Sequence, residues 1–386
     1  MKRWPTMRLG DLVLPAQQRD PRQNPGEEFC YVDIAGIDNE AKTIIGTKRI
    51  VGADAPSRAR KVIRMGDVIV STVRPNLNAV ALVPDNLDNQ ICSTGFSVLR
   101  PSSKVTSGYL FAFVRSPSFI DRLVARTTGA NYPAVNDGEV KDVPIPVPPL
   151  AEQERIVKLL DEADELRKQR TQADRRTTAL IPSLFREMFG GSRDWPVERL
   201  EKLCERITVG HVGPMATEYC ETGVPFLRGQ NIKRGFIALS TVLFVSEDFH
   251  RRLAKSAIAP GDVVSVRTGK PGTTAVIPSL LKVANCADLI VMTCGPRLNP
   301  EFLCELLNQR LGDKDKIAGA TGIAQQHFNI GEARKLEISV PSLTLQNSFT
   351  ARVAEIRAME VQQSLGRQRL DALFQSLLHR AFRGEL

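Results

Sequence analysis

The sequence predicts a mixed α/β fold of the α+β type, with two globular domains joined by two long antiparallel coiled-coil helices. The 386-residue chain repeats itself at a spacing of about 193 residues, so one unit occurs twice. The first part of each copy holds short β-branched runs, such as Val68–Val73 and Val263–Val266, between glycines and prolines. Each copy then ends in roughly 40 residues of helical pattern. We therefore expect an internal pseudo-twofold duplication of one domain and one long helix.

The repeat is clearest where TTGANYPAVNDGEVKDVPIPVPPLAEQ (127–153) is aligned with ATGIAQQHFNIGEARKLEISVPSLTLQ (320–346). At a shift of 193 residues, twenty-six consecutive positions share ten identities without a gap. Unrelated sequences would share about one or two at ordinary residue frequencies. The same shift aligns ALIPSLFREMFGG (179–191) with ALFQSLLHRAFRG (372–384), and the chain's two tryptophans also correspond.

The prolines that precede each helical stretch give the boundaries of the parts. Pro148-Pro149 and Pro341 prevent the helices from extending towards the N-terminus. Just ahead of them, Asn136 and Asn329 stand before Gly-Glu pairs and are typical of turn or cap positions. The expected parts are a first globular domain, a central helix, a second globular domain and a distal helix, at 1–150, 151–190, 191–343 and 344–386 respectively.

Both long helices carry the 3-4 spacing of a coiled-coil seam. The expected seam residues are Ile156, Leu159, Ala163, Leu166, Ala173 and Leu180 in the central helix, and Ile356, Met359, Gly366, Leu370, Leu373 and Leu377 in the distal helix. Polar residues interrupt both seams at equivalent places, Arg170 and Gln363. We expect the helices to pair with each other, antiparallel if the pseudo-twofold axis is perpendicular to them. Packing of each helix on its own domain is the alternative.

Composition favours a cytoplasmic protein and is compatible with a polyanionic partner. The net charge is +9, which is compatible with nucleic acid but is modest evidence on its own. The seven cysteines are scattered without a C-x-x-C pair, so buried thiols are a better interpretation than a zinc site. Neither a convincing signal peptide nor an apolar run of eighteen residues is present.

A search for an active site in the sequence finds none that is supported. The adenine methyltransferase signature is absent, because Leu150 follows the only Pro-Pro pair. The stretch RTGKPGTT (267–274) has Pro271 where a phosphate loop needs serine or threonine. With four histidines and no H-x-x-x-H or G-x-S-x-G, we expect no metal, no cofactor and no catalysis by this chain.

The repeated element T-G-x(6)-N-x-G-E…V-P-[PS]-L-x-x-Q, followed by a long helix, resembles the specificity subunit of type I restriction-modification systems. So do FCYVDIAGID (29–38) and VPFLRGQNI (224–232), and PPLAEQERI is the most specific single piece. The resemblance covers essentially the whole chain. The second element departs from it, with Ser342 for the second proline and Leu345 for the glutamate.

The resemblance implies that the globular domains are target-recognition domains for double-stranded DNA. It implies that the helices separate them and dock two adenine-methyltransferase subunits, through which the restriction and translocase subunits join the complex. A 40-residue helix spans about 60 Å at 1.5 Å per residue, comparable to one or two turns of duplex DNA. We therefore expect two half-sites to be read across a spacer that is not read.

Loops rich in Arg, Asn, Gln and Lys hold the candidate DNA-binding residues, because Arg or Lys pairs with guanine and Asn or Gln with adenine in the major groove. In the first domain these are Arg74, Asn76, Asn78, Arg126, Asn131 and Tyr132. In the second they are Arg228, Gln230, Asn231, Lys233, Arg234, Arg267, Lys270, Gln325, Gln326 and His327. At each position a loop residue that only meets solvent is the alternative.

Two other functions stay open from the sequence. One is a scaffold or adaptor with two ligand-binding domains on a coiled coil, which binds no DNA. The other is a free-standing nuclease whose acidic residues are scattered along the chain. A continuous basic face would favour DNA binding over the scaffold, and metal-dependent cleavage by this chain alone would identify the nuclease.

Overall fold

The computed structural model describes residues 4–127, 133–191, 194–311 and 328–386. The chain folds as two compact units. Unit 1 comprises Met1–Gln172 and Gln363–Leu386, and unit 2 comprises Ala173–Gln362. Each unit therefore contains one globular domain together with segments of both long helical stretches. The four-part division expected from the sequence stays a prediction.

Short strands build the globular part of unit 1, which holds two four-stranded sheets and two strand pairs. In chain order the strands are β1 (Thr6–Arg8), β2 (Val13–Leu14), β3 (Glu28–Val32), β4 (Ile37–Asp38), β5 (Thr43–Ile44), β6 (Lys48–Val51), β7 (Ala59–Ile63), β8 (Val68–Ser71), β9 (Val80–Leu82), β10 (Gln90–Ser93), β11 (Phe96–Pro101) and β12 (Pro144–Pro146). The sheets have the orders β6-β3-β10-β7 and β2-β11-β8-β9, and the pairs are β1-β12 and β4-β5. Only β3 and β10 run parallel among these pairings.

Unit 2 repeats this arrangement with one additional edge strand. Its strands are β13 (Val197–Arg199), β14 (Cys204–Val209), β15 (Tyr219–Cys220), β16 (Val224–Leu227), β17 (Ile232–Lys233), β18 (Phe236–Ile237), β19 (Leu243–Val245), β20 (Ala257–Ile258), β21 (Val263–Val266), β22 (Thr274–Val276), β23 (Ala284–Cys286), β24 (Leu289–Cys294) and β25 (Glu337–Ser339). The sheets are β14-β24-β21-β22 and β15-β19-β16-β23-β20, and the pairs are β13-β25 and β17-β18. The parallel contact is again the equivalent one, between β16 and β23.

Helices cover these sheets and form the long segments. They are α1 (Ser107–Val114), α2 (Pro117–Val124), α3 (Asp137–Lys141), α4 (Leu150–Thr178), α5 (Leu180–Phe189), α6 (Leu200–Leu203), α7 (Glu247–Arg252), α8 (Pro300–Leu311), α9 (Ile330–Lys335) and α10 (Leu343–Ala381). The largest core of each unit joins its domain to its long-helix segments, through Ile156 and Phe374 in unit 1 and through Ile181 and Phe349 in unit 2. The predicted mixed α/β class with long helices is confirmed.

The aligned glutamines Gln153 and Gln346 confirm the repeat in atomic detail. Each is fully buried in the first turn of its long helix. The Gln153 Oε1 atom accepts the Thr106 N–H at 2.9 Å, and its Nε2 donates to the Lys104 and Pro148 carbonyls. Gln346 makes the corresponding three bonds to Asn299, Arg297 and Pro341. The joint between domain and helix is therefore the same structure twice.

Two further pairs of aligned residues keep the same roles. Asn136 and Asn329 each cap a short helix, in a capping box closed by the glutamate three residues later, which confirms their predicted cap positions. Asp67 and Asp262 each follow a glycine with positive φ. Each carboxylate accepts a backbone N–H at 2.9 Å from the residue three positions earlier. The duplicated motifs are thus turn and cap elements of the scaffold.

The expected coiled-coil seam is offset by one residue on one of its two edges. Ile156, Ala163 and Ile356 are buried, and Leu159, Ala173, Gly366, Leu370 and Leu377 are half-buried. The expected seam residues Leu166, Leu180, Met359 and Leu373 are instead exposed by 50%, 44%, 46% and 48%. In two of the four cases the next residue is buried instead, Ile181 after Leu180 and Phe374 after Leu373. Leu160 and Leu378 are likewise buried, beside the half-buried Leu159 and Leu377.

The physical reason for this correction is that arginine occupies the seam. In unit 1 the Arg167 guanidinium lies 4.6 Å from the centre of the Phe374 ring, and its Nε donates to Asp371 at 2.7 Å. One turn further along α4, Arg170 is the nearest neighbour of Gly366. Residue numbers rise along α4 while those of the contacting residues on α10 fall, so the two helices pair antiparallel in this unit. Long arginine stems pack where the pattern of leucines alone predicts leucine.

Candidate nucleic-acid interface

The loop between β8 and β9 presents two of the predicted DNA-binding residues of unit 1. Arg74 and Asn76 are exposed there. Arg74 has a φ of 50°, which is uncommon for a residue with a side chain. Its N–H donates to the Pro133 carbonyl at 2.8 Å, and its carbonyl accepts the Leu77 N–H at 2.9 Å. These two bonds fix the backbone of the loop, so the side chains project from a defined turn.

Asn78, at the end of the same loop, has a structural role. It is 8% exposed and has a φ of 46°. Its Nδ2 donates to the Val114 carbonyl at 2.8 Å, and its own carbonyl accepts the Lys42 ammonium at 2.6 Å. An amide held in this way cannot reach a base without leaving its site. We therefore leave Asn78 out of the proposed contact residues.

Arg126 is the other described candidate of unit 1. Its side chain is exposed, and the Nη1 atom donates to the Glu139 carbonyl at 3.0 Å. That bond holds the side chain beside the capped helix α3. Asn131 and Tyr132 lie outside the described residues.

In unit 2 the loop between β21 and β22 occupies the place of the Arg74 loop. Lys270 is exposed at its tip, between Gly269 and Gly272, whose φ values are 79° and 83°. Arg267 lies at the base of the loop, with its Nη1 atom 3.4 Å from Asp288. The turn at residues 267–274 therefore presents one exposed ammonium group, that of Lys270, and one guanidinium paired with Asp288, that of Arg267.

The segment after β16 divides into one buried and four accessible candidates. Asn231 is fully buried, where it accepts the Arg228 N–H at 2.9 Å and donates to the Ala238 carbonyl at 3.2 Å. Arg228 is half-buried and stacks 5.7 Å from the centre of the Tyr219 ring. Gln230, Lys233 and Arg234 are exposed. Asn231 is thus a structural residue, and Gln325, Gln326 and His327 lie outside the described residues.

Sequence reasoning missed Asp288 and Thr268, which position Arg267. Asp288 has a φ of 51°, at the turn between β23 and β24. Its carboxylate pairs with Arg267 and accepts a hydrogen bond from the Thr268 hydroxyl. The contact joins residues 20 positions apart, so no local pattern indicates it. The Asp288 carboxylate thus holds the Arg267 guanidinium beside the base of the loop.

Lys42 is a second residue that the sequence does not single out. Burial disfavours its ammonium form and, together with repulsion from Arg115, lowers its pKa to about 8, although Asp38 acts in the opposite sense. Two backbone N–H groups, from Ala41 and Glu40, lower the pKa of Asp38 itself. The Lys42–Asn78 contact thus supports the base of the Arg74 loop from below.

The described residues hold no group of three or more His, Cys, Asp or Glu side chains arranged to bind a metal ion. None of the helices within the described residues is long and apolar enough to cross a bilayer. All seven cysteines are free thiols, and burial raises the pKa of Cys92 and Cys286 to about 12. Such thiols are poor nucleophiles at neutral pH.

A second candidate surface lies on the outward side of the long helices. Leu166 and Leu373 are exposed in unit 1, and Met359 and Leu180 are exposed in unit 2. Leu166 and Met359 are separated by 193 residues, and so are Leu180 and Leu373. Each unit therefore carries one equivalent outward pair of large apolar side chains.

Comparisons with known proteins place the chain among DNA specificity proteins of one kind. A family model described as the type I restriction modification DNA specificity domain matches residues 1–173. A chain from a structural study of complex assembly and conformational transition of the type I R-M system is 30% identical, with a TM-score of 0.74. That match covers 100% of this chain and 99% of the solved one.

Curated relatives match over shorter parts. The type I restriction enzyme HindI specificity subunit of Haemophilus influenzae is 24% identical over 139 residues, which are 35% of this chain and 30% of the relative. The MjaVIII specificity subunit of Methanocaldococcus jannaschii is 24% identical over 261 residues, which are 61% of this chain and 60% of the relative. The chain thus spans less than two thirds of the length of either relative.

Proposed function

The chain belongs to the specificity subunits of type I restriction-modification systems, and on that premise we propose that its two units each read one part of a bipartite double-stranded DNA target. The observation that carries the proposal is the unequal divergence of the duplicated copies. The buried glutamines Gln153 and Gln346 keep all three of their hydrogen bonds. The loops at the equivalent edge, STVRPNLN and SVRTGKPG, differ in sequence and turn geometry. A common scaffold with different loops suits the reading of two different half-sites.

The proposed base and phosphate contacts are the accessible basic and amide side chains of these loops. Arginine and lysine serve guanine and phosphate, and glutamine and asparagine serve adenine. In unit 1 they are Arg74, Asn76 and Arg126; in unit 2 they are Arg228, Gln230, Lys233, Arg234, Arg267 and Lys270. Asn131, Tyr132, Gln325, Gln326 and His327 stay predictions from the sequence.

Arg267 is the strongest individual candidate. A guanidinium that is already oriented loses little conformational freedom when it binds the O6 and N7 atoms of guanine. Asp288 and Thr268 supply that orientation in the free protein. Asp288→Asn is expected to weaken DNA binding and to relax one position of the target, while leaving the other half-site unchanged.

The outward apolar pairs Leu166/Leu373 and Leu180/Met359 are the proposed docking sites for two adenine-methyltransferase subunits. Restriction and translocase subunits would join through that complex. This chain contributes recognition and assembly, and the methyl transfer and DNA cleavage belong to the partners. Two equal sites on the helices, separate from two unequal sets of loops, match a two-copy partner and a two-part target.

Exposed substitutions test the docking proposal without disturbing the cores. Leu166→Asp with Leu373→Asp is expected to remove one of two bound methyltransferase subunits, and Leu180→Asp with Met359→Asp the other. The measurement is the mass of the complex by light scattering. Lys158→Asp, an exposed change on the same helix, is the control. Full two-copy assembly by both double variants would refute this docking surface.

DNA protection by the assembled methyltransferase tests the recognition proposal. We expect two short protected clusters with an indifferent gap, and a binding constant that falls steeply as salt rises, because phosphate contacts release counterions. Binding without sequence preference would contradict the proposal and favour the scaffold function. Metal-dependent cleavage by this chain alone would favour the nuclease.

A further inference from the structure

In unit 1 an ion pair joins the globular domain to the long helix α4. Arg115, which follows α1, donates from Nη2 to the Asp164 carboxylate at 3.2 Å. The two side chains are 11% and 17% exposed. The Arg115 guanidinium also lies 5.0 Å and 4.9 Å from the centres of the Phe111 and Phe374 rings. The domain thus supplies a cation to a carboxylate of the helix. Arg167 and Lys168 of the same helix also contact that carboxylate, at 2.9 Å and 3.6 Å.

In unit 2 the corresponding contact has the opposite polarity. Arg357, on the long helix α10, donates from Nη1 to Glu301 at 2.8 Å and from Nη2 to Glu305 at 2.9 Å. Both glutamates lie on the domain helix α8. The Glu305 side chain is only 4% exposed. Here the helix supplies the cation, and the domain supplies two anions.

The two contacts occupy the same place in the repeat. Arg357 stands 193 residues after Asp164, the shift that also relates Gln346 to Gln153. The same shift relates the domain helices, because Thr106 and Asn299, whose N–H groups donate to those glutamines, are 193 residues apart. At this shift Glu301 and Glu305 fall on Gly108 and Ala112, and Arg115 falls on Asn308. The charge at one equivalent helix position has therefore been reversed, together with the charges that face it.

We propose that positions 164 and 357 form a polarity code that determines which recognition domain docks on which copy of the long helix. The first domain placed on the second helix site would bring Arg115 to Arg357. The second domain placed on the first helix site would bring Glu301 and Glu305 to Asp164. Like charges at a partly buried contact disfavour both wrong combinations. The code excludes exchange of domains within one chain and between neighbouring chains, and it does not depend on what the domains bind.

A duplicated scaffold needs at least one contact that differs between its copies if each domain is to dock only on its own helix site. The glutamine joints make the same three hydrogen bonds in the two copies, so they do not distinguish one domain from the other. Of the described contacts between domain and long helix, the ion pairs of Asp164 and Arg357 differ in sign between equivalent positions. A recognition domain transferred from another chain would dock on a given helix site only when its charge matches.

A full-length chain with two copies of the first domain tests the code directly. In this chimera a second copy of residues 4–149 stands in place of residues 197–342, so that a second Arg115 faces Arg357. Hydrogen exchange of the α10 amides between residues 349 and 357 reports docking. We expect these amides to be at least about tenfold better protected when the chimera also carries Arg357→Asp. The matched control is Arg352→Asp, an exposed change on the same helix, which should give no gain.

Equal protection with and without Arg357→Asp, or an equal gain from Arg352→Asp, would overturn the proposal. The native chain decides the matter if neither chimera folds. Arg357→Glu is expected to lower the unfolding midpoint and the α10 protection, because three carboxylates then meet. Adding Glu301→Lys should recover part of both losses, since opposite charges face each other again. Wild-type behaviour of Arg357→Glu, or no recovery in the double variant, would contradict the code.

Discussion

At the scale of single residues, the two buried glutamines hold each domain to the first turn of its long helix. Each side chain bonds one backbone N–H and two backbone carbonyls, and the bonds to the Pro148 and Pro341 carbonyls are buried. A buried polar group without a partner costs about 1–3 kcal/mol. Gln153 and Gln346 are therefore important to stability although neither touches a proposed DNA contact.

Gln153→Ala is expected to lower the free energy of unfolding by about 2–4 kcal/mol, because three backbone groups lose their partner. Denaturant unfolding of the full chain measures the loss. Gln169→Ala, an exposed change on the same helix, should have an effect within about 0.5 kcal/mol. Equal effects of the two substitutions would show that the joint does not depend on Gln153.

Lys42 gives a prediction for the dependence of stability on pH. Its pKa of about 8 in the folded chain lies below its ordinary value of 10.5, chiefly through burial. Between those values the unfolded chain keeps a proton that the folded chain has released, so this group makes stability rise with pH. Below about pH 8 both states are protonated, and this contribution is constant.

Lys42→Met should therefore flatten the rise in unfolding free energy between about pH 8 and pH 10. Denaturant unfolding at several pH values measures the slope for the wild type, for Lys42→Met and for the exposed Lys48→Met control. Identical slopes in all three proteins would contradict the burial of the Lys42 amine.

Asparagines show what the sequence predicts at this scale and what it does not. Asn136 and Asn329 were identifiable as caps because a glutamate follows three residues later, which is a local pattern. Asn78 and Asn231 stand in similar polar loops, yet their amides are buried against Val114 and Ala238. These partners are 36 and 7 residues away, so composition of the loop cannot separate a buried amide from an exposed one.

At the scale of elements, the long helices were predictable and their contact faces only in part. Prolines and the 3-4 pattern indicated where helix begins after residue 149. The pattern of leucines then gave one edge of the seam one residue too early, because Arg167 and Phe374 share a contact that no hydrophobic count includes. Leu166 stays half exposed as a result, beside a half-buried Arg167.

Leu160→Ala and Leu166→Ala form a matched pair that tests the corrected seam. Leu160 is 3% exposed, so its truncation should cost about 2–5 kcal/mol of unfolding free energy. Leu166 is half exposed, so the same truncation should change it by less than about 1 kcal/mol. Thermal or denaturant unfolding distinguishes them, and a larger loss for Leu166→Ala would restore the seam first expected.

At the scale of the whole molecule, the duplication is the property that the sequence shows most completely. Ten identities in twenty-six positions were enough to identify two copies of one unit. The polarity of the Asp164 and Arg357 contacts could not be predicted, because it depends on which distant side chain faces each position. A repeat can be recognised from the order of residues alone. The differences between its two copies depend on contacts between residues far apart in the sequence.

The prediction that the long helices set the unread gap is testable by length. One heptad inserted after Gln172 and another after Gln362 adds about 10 Å to each helix and keeps the pairing register. At 3.4 Å per base pair, we expect the preferred gap to grow by about three base pairs. Selection of targets from a library of random gaps measures it. A preferred gap that does not change would contradict the prediction.

The most direct test of the central claim is the sequencing of methylated adenines in cells that contain this chain and its methyltransferase. The wild type is expected to give one motif with two defined parts and an indifferent gap. Arg267→Ala with Lys270→Ala should relax only one part, and Arg74→Ala with Asn76→Ala only the other. A single continuous motif, or both parts altered by either pair of substitutions, would contradict the assignment of one half-site to each unit.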